Sequence, residues 1–212
     1  MATDLIEVDQ ENPSEEVLEK VVSCIRNGKL VAVPTDALYA IVADPMNLHA
    51  VTRVYAAKGR EATRALPLVV TDRLMAEDLA GEITERFRFL ARRYWPGPLT
   101  LIVPASAKVP LKVTGNTGRL AMRQSKSKLL NALLEKFDRP LICTSANISG
   151  QATCRSGIEV FGTMDTRVDL VVDGGLCLGS GATTIDITEP WWRVIKQGSI
   201  SEQELADVLR GH

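Results

Sequence analysis

Leu141-Ile142-Cys143-Thr144-Ser145-Ala146-Asn147-Ile148-Ser149-Gly150 changes character halfway along. An apolar run of strand length gives way at once to small hydroxyl and amide side chains, which favour caps and turns. Just upstream, Leu129, Leu130, Leu133, Leu134 and Phe137 recur at helical spacing. A helix feeding a buried strand whose far end turns polar is the repeating unit of α/β sheets, and ligands collect at such strand ends. The expected fold is therefore α/β.

Working outward, the same alternation continues in both directions. Asn12-Pro13-Ser14-Glu15 reads as a helix start, with Asn12 as cap, Pro13 in the first turn and Glu15 at the third position. Val17, Leu18, Val21, Val22 and Ile25 then follow at helical spacing, and Gly28 ends the element. Leu48, Val51, Val54 and Tyr55 predict a second helix, ending near Lys58-Gly59. Phe87, Leu90, Ala91 and Tyr94 predict a third, stopped by Trp95-Pro96-Gly97-Pro98. Strands are expected at 30–33, 66–70, 99–103, 120–122, 141–143, 170–172, 184–187 and 194–195, and a closing helix at 202–209. No repeat and no stretch of linker composition divides the chain. The expectation is one domain over 1–212, with a core at about 14–200 and a short terminal helix at 201–210, built on a twisted mixed sheet with flanking helices.

Bulk properties narrow the chemistry. Of 212 residues 45% are hydrophobic and 24% charged, which suits a packed core rather than disorder. The net charge of −1 gives no overall pull toward a polyanion. Asp4, Glu7, Asp9, Glu11, Glu15 and Glu16 crowd the first stretch, where a signal peptide would need an apolar run. The uncharged stretches 94–107 and 140–154 are too short and too broken to span a bilayer. A soluble, cytoplasmic chain is expected. Cys24, Cys143, Cys154 and Cys177 are dispersed, so reduced thiols are expected rather than a zinc ribbon or redox pair. The only histidines are His49, within a helical pattern, and His212. Chemistry should thus depend on positioning, cations and backbone donors, as nucleotidyl transfer does, and not on a histidine base.

No G-x-x-x-x-G-K-[ST] is present. The glycines from Gly174 to Gly181 have the wrong spacing for a dinucleotide loop and precede a β-like segment, so they read as a turn between strands. Four polar clusters lie instead at element ends: Pro34-Thr35-Asp36-Ala37-Leu38-Tyr39; Lys58-Gly59-Arg60 with Arg64; Thr144-Ser145-Ala146-Asn147 with Ser149-Gly150 and Thr153; and Gly181-Ala182-Thr183-Thr184. Singly, each is explained by a turn or a cap. Together they supply cations for phosphates, hydroxyls for a small polar ligand and an amide for a base or ribose.

These clusters, with Leu66-Pro67-Leu68, Trp95-Pro96-Gly97-Pro98-Leu99-Thr100, Ala121-Met122-Arg123 and Val172-Asp173-Gly174-Gly175 between them, occur in the order seen in the YrdC/TsaC-like threonylcarbamoyl-AMP synthase family. The resemblance runs from about residue 16 to 200 and is to the short form, without the C-terminal extension. It implies a YrdC-like α/β fold with a concave, positively lined cleft. It also implies a nucleotidyltransferase that makes threonylcarbamoyl-AMP and pyrophosphate from L-threonine, bicarbonate and ATP. A downstream transferase complex then uses that product to modify adenosine 37 of tRNA. By the resemblance, Lys58 and Arg60 are catalytic and contact phosphates. Ser145, Asn147, Thr153 and Lys196 join them at ATP, and Thr35, Tyr39, Arg123, Cys143 and Thr183 hold L-threonine, with Arg123 at its carboxylate. Mg²⁺ accompanies ATP through phosphate oxygens and water, with no protein ligand named.

The chain departs from the family pattern at Ala37, Ala40, Glu61, Ala65 and Lys196-Gln197-Gly198, where threonine, glycine, two prolines and Arg-Pro-Gly are usual. A lysine at 196 keeps charge and loses fork geometry. Two other readings stay open: a paralogue with a different acyl-nucleotide substrate, and a module that binds double-stranded RNA or tRNA. The second would use a rim of Lys108, Lys112, Arg119, Arg123, Lys126 and Lys128, which reads more simply as a solvated mixed surface.

Overall fold

The structure, a computed structural model, describes residues 2–210; Met1, Gly211 and His212 lie outside them. Seven helices are described: α1 (Glu15–Arg26), α2 (Leu48–Lys58), α3 (Arg73–Leu79), α4 (Glu85–Tyr94), α5 (Lys128–Phe137), α6 (Gly157–Met164) and α7 (Glu202–Val208). Between them run strands β1 (Asp4–Glu7), β2 (Val31–Val33), β3 (Ala40–Ala43), β4 (Leu68–Val70) and β5 (Leu99–Pro104). The second half adds β6 (Arg119–Gln124), β7 (Leu141–Ser145), β8 (Leu170–Asp173), β9 (Thr183–Asp186) and β10 (Arg193–Lys196).

Caps fix most helix starts. Ser14 caps α1 by accepting from the Val17 amide, so the predicted cap at Asn12 is corrected by two residues. The reason is local: the Asp9 carboxylate accepts from the Glu11 and Asn12 amides, and this Asx turn takes Asn12 out of the helix. Asn47 accepts from the His49 and Ala50 amides at the start of α2, and Ser127 from Leu130 at the start of α5. Gly28, just past α1, sits at φ 71°, as the sequence predicts for a terminating glycine. His49 is exposed on α2.

All ten strands join one sheet, in the order β1-β8-β2-β3-β7-β4-β6-β5-β9-β10. Parallel pairs (β1 with β8, β2 with β8, β4 with β6, β5 with β9) are mixed with antiparallel ones, as expected. Side chains alternate across the sheet, and the alternation separates two cores. Val31, Val33, Val42, Val69, Leu141, Leu170 and Val172 point to one face and pack under α1 and α5, through Leu18, Val21, Ile25, Leu129, Leu133 and Phe137. Ala32, Ile41, Leu68, Val70, Ile142 and Val171 point to the other, which α2, α4 and α6 help to cover. Leu99, Leu101, Leu120, Met122 and Ile185 also belong to that second core. Their neighbours along the strands, on the α1/α5 side, are Thr100, Ile102, Ala121, Arg123 and Thr184. These line a cavity instead of a core.

Candidate active site

The cavity encloses about 600 Å³. Its floor is the sheet: Val69 from β4, Thr100 and Ile102 from β5, Ala121 and Arg123 from β6, Cys143 and Ser145 from β7, and Thr184 from β9. Thr35, the 37–40 segment, Arg60, Arg64, Ala65, Thr153, Gly181, Ala182, Ile195 and Lys196 form the walls. Charge is distributed unevenly here, because no Asp or Glu contributes to the lining.

Arg60, Arg64 and Lys196 give the cavity a cationic wall, and none of the three has a carboxylate partner among the described residues. Arg60 is fixed by one bond from Nη2 to the Ala65 carbonyl at 2.8 Å, while its Nε is buried without a partner among the described residues. Burial and the Arg64 charge push the Arg60 guanidinium down from its ordinary value. Such an uncompensated group of cations favours a polyanionic ligand.

Lys58 lies behind this wall. It is 2% exposed, and its ammonium donates to the carbonyls of Ser145 and Asn147 and to Asn147 Oδ1, the last two at 3.0 and 2.9 Å. Burial, then the charges of Arg60 and Lys196, push it down to about 8. The three acceptors satisfy the donors of the ammonium. Ser145 Oγ also donates to Asn147 Oδ1 at 2.6 Å, and Asn147 Nδ2 to the Gln151 carbonyl at 2.6 Å. Lys58 thus ties the end of α2 to the turn that follows β7.

Across the cavity from the β7 turn, Arg123 is 7% exposed. Its Nη1 donates to Asp36 Oδ2 at 3.0 Å and reaches the Gly97 carbonyl at 3.5 Å, leaving Nε and Nη2 without partners among the described residues. Burial opposes ionisation of Asp36, but Arg123 and the Ser125 hydroxyl outweigh it and hold the carboxyl below its ordinary range. Burial pushes the Cys143 thiol up to about 11, so it is neutral at pH 7. Thr35 Oγ1 donates to the Leu38 carbonyl at 2.6 Å and accepts from the Ala37 amide at 3.0 Å, which shapes its own loop. Tyr39 borders the cavity, but its side chain is fully buried in the core that holds Ile41, and its hydroxyl lies 3.0 Å from Asp173 Oδ1, 2.8 Å from the Gly175 carbonyl and 3.0 Å from the Gly174 amide.

Of the residues singled out by sequence, Arg60, Ser145, Thr153, Lys196, Thr35, Tyr39, Arg123 and Cys143 line the cavity. Lys58, Asn147 and Thr183 do not. Thr183 shares strand parity with the core residue Ile185, so it faces the opposite side of the sheet. There its hydroxyl donates to the Ile200 carbonyl at 2.7 Å and accepts from the Gly198 and Ile200 amides, both at 3.0 Å. Thr100 and Thr184 line the cavity and were not singled out as ligand contacts, although strand alternation alone selects Thr184 over Thr183. Arg64 likewise joins Arg60 in the wall.

The supposed basic rim is largely neutralised: Lys108 pairs with Asp78, Lys128 with Glu11, Arg119 with Asp186 and Glu189, and Arg123 with Asp36. All four cysteines are free. Among the described residues no group of three or more His, Cys, Asp or Glu is placed to hold a metal ion. No helix among them is long and apolar enough to cross a membrane.

A family model for Sua5, YciO and YrdC proteins, described as telomere recombination, matches residues 23–198. The chain belongs to the Sua5/YciO/YrdC family. Within it, a threonylcarbamoyl-AMP synthase of Pyrococcus abyssi is 37% identical over 186 residues, which is 87% of this chain and 55% of that protein. The Bacillus subtilis threonylcarbamoyl-AMP synthase is 29% identical over 95% of this chain, and 59% of its own length is covered. The chain therefore spans little more than half the length of these two family members. A shorter synthase, from Halorhodospira halophila, is 34% identical and is covered over 80% of its length. The crystal structure of Pyrococcus abyssi Sua5 complexed with L-threonine superposes with a TM-score of 0.92 at 35% identity, over 98% of this chain and 61% of that one. Escherichia coli YciO shares the fold, with a TM-score of 0.86 at 23% identity over 93% of this chain and 96% of its own.

Proposed function

We propose that this chain is an L-threonylcarbamoyl-AMP synthase, an enzyme that joins L-threonine, bicarbonate and ATP and releases pyrophosphate. The observation that carries the reading is the cavity itself. One wall bears cations without carboxylate partners among the described residues, and the floor, otherwise of small residues, bears a single guanidinium with two free donors. Support also comes from relatives named for this activity and from a family member crystallised with L-threonine.

The chemistry asks little of acid–base groups. The threonine amine attacks bicarbonate, water leaves, and the resulting carbamate carries the nucleophilic oxygen. That oxygen attacks the α-phosphorus of ATP, the bond to the bridging α–β oxygen breaks, and pyrophosphate departs with the electron pair. Positioning and charge stabilisation carry such a transfer. Arg60, Arg64 and Lys196 hold the phosphates and stabilise the charge that develops on pyrophosphate. Ser145 and Thr153 border the nucleotide. Arg123 receives the threonine carboxylate, with Thr35, Tyr39, Cys143 and Thr184 around the rest of the amino acid. Lys58 and Asn147 serve by holding the turn that carries Ser145. Mg²⁺ enters as part of the nucleotide substrate, on phosphate oxygens and water, because the lining offers no carboxylate. The product would go to a transferase complex that modifies adenosine 37 of tRNA.

The test is release of pyrophosphate from ATP and Mg²⁺, with threonine and bicarbonate supplied together or singly. Release that requires both is the expected result. Equal release without threonine would replace this reading with a different acyl-nucleotide substrate. The RNA-binding reading is less favoured, since its basic rim is largely ion-paired.

A further inference from the structure

We propose that Asp36 is a positioning residue for the amino-acid substrate, holding Arg123 so that its Nε–Nη2 edge is presented to the substrate carboxylate. The inference rests on the reading that Arg123 is the carboxylate receptor. It adds a residue from a different part of the chain, in the loop between β2 and β3, which does not itself line the cavity.

The geometry is specific. Asp36 Oδ2 accepts from Arg123 Nη1 at 3.0 Å, and Asp36 Oδ1 accepts from the Ser125 hydroxyl. Ser125 Oγ is itself fixed by the Ser127 amide at 3.1 Å, at the start of α5, and is 0% exposed. Both carboxylate oxygens are thus committed, and the side chains of Arg123 and Asp36 are only 8% and 16% exposed. A guanidinium held at one nitrogen keeps its plane, and the edge left free has the two parallel donors that match two carboxylate oxygens. Without that hold, the plane can turn about the last side-chain bond, and a paired contact decays to a single one. A negative Asp36 also repels the incoming carboxylate. Orientation and repulsion therefore predict opposite effects on affinity, and the variants below separate them.

Asp36→Ala removes both effects, whereas Asp36→Asn removes the charge but keeps an acceptor for Nη1 and a donor for Ser125. If orientation dominates, Asp36→Ala raises the KM for L-threonine by about tenfold, the scale of one charge-assisted bond, while the KM for ATP and kcat change by less than about twofold. Asp36→Asn then returns the threonine KM most of the way to wild type. Calorimetry gives a readout independent of turnover: wild-type protein discriminates L-threonine from L-threoninol, which lacks the carboxylate, and Asp36→Ala narrows that ratio. If Asp36→Ala does not fold, Ser125→Ala tests the same tether and should shift the threonine KM in the same direction by about threefold. An unchanged or lowered threonine KM in Asp36→Ala overturns the proposal, as does an equal rise for ATP. A wild-type protein that binds no threonine in the calorimeter overturns the parent reading instead.

Discussion

At the scale of single residues, Lys58 and Arg60 lie two positions apart and do different things. Lys58 is buried, with its donors committed to the 145–147 turn; Arg60 lines the cavity. Lys58→Met should leave two carbonyls and an amide oxygen unpaired in a closed site. A loss on the order of 2–4 kcal/mol is expected, read as a large drop in melting temperature. Arg60→Ala should barely move the melting temperature and should weaken ATP binding by about 1.5–3 kcal/mol, measured by calorimetry. Lys58 also gives a pH signature. Its folded value of about 8 lies below its ordinary 10.5, so between those values the unfolded chain binds the extra proton and stability from this group rises with pH. The stability difference between wild type and Lys58→Met should therefore grow from pH 8 to pH 10, and that difference cancels the tyrosines and thiols titrating nearby. The cation pair was legible in sequence because two charges flank a glycine at a helix end. Which of them turns inward was not, because the Ser145 and Asn147 carbonyls that capture Lys58 are nearly ninety positions away and enter only through the β3–β7 pairing.

At the scale of elements, what was legible is what is amphipathic. Helices α1 and α5 carry a buried stripe that spacing alone reveals, and both fall where expected. Four elements were missed, each for a physical reason. β3 is Ala-Ile-Val-Ala, a four-residue buried run without alternation that spacing alone cannot assign, and it becomes a strand because β2 and β7 enclose it on both sides. β1 is a largely exposed edge with no apolar run. α6 contains Gly157 and Gly162, which lower helix propensity, and α3 is only seven residues long. The polar clusters were found at element ends, yet alternation within β9 assigns Thr184, and not Thr183, to the cavity face. Thr183 instead secures the segment after β10, where Gly198 packs against backbone. A Cβ at 198 would sit 2.4 Å from the Ala182 carbonyl carbon and 2.5 Å from the Thr183 nitrogen. Gly198→Ala should therefore cost about 1–3 kcal/mol in chemical denaturation. It should also displace Lys196 and weaken ATP binding, while threonine binding measured on the same sample stays near wild type.

At the scale of the whole molecule, the cavity draws on β3 through β7, on β9 and on β10, so a ligand in it bridges most of the sheet. Saturating ATP, at about a hundredfold excess over its Kd, adds roughly 2.7 kcal/mol to the folded state. For a chain of this size that corresponds to a rise of roughly 5–10 °C in melting temperature, checked by a thermal scan with and without nucleotide. The α/β class and the mixed sheet were legible from alternating elements. The strand order was not, because pairs such as β1 with β8 join segments with no local signal to each other. That pairing has a consequence for how the chain is made. Asp4 lies beside Leu170 and Glu7 beside Asp173, so β1, which leaves the ribosome before the other nine described strands, lacks this neighbour until the chain has grown by more than a hundred and sixty residues. At about 5–20 residues per second, its backbone donors and acceptors wait on the order of ten seconds or more for a partner. The acidic side chains Asp4 and Glu7, at either end of that strand, keep it charged and hydrated during the wait, when a bare apolar edge would invite other nascent chains.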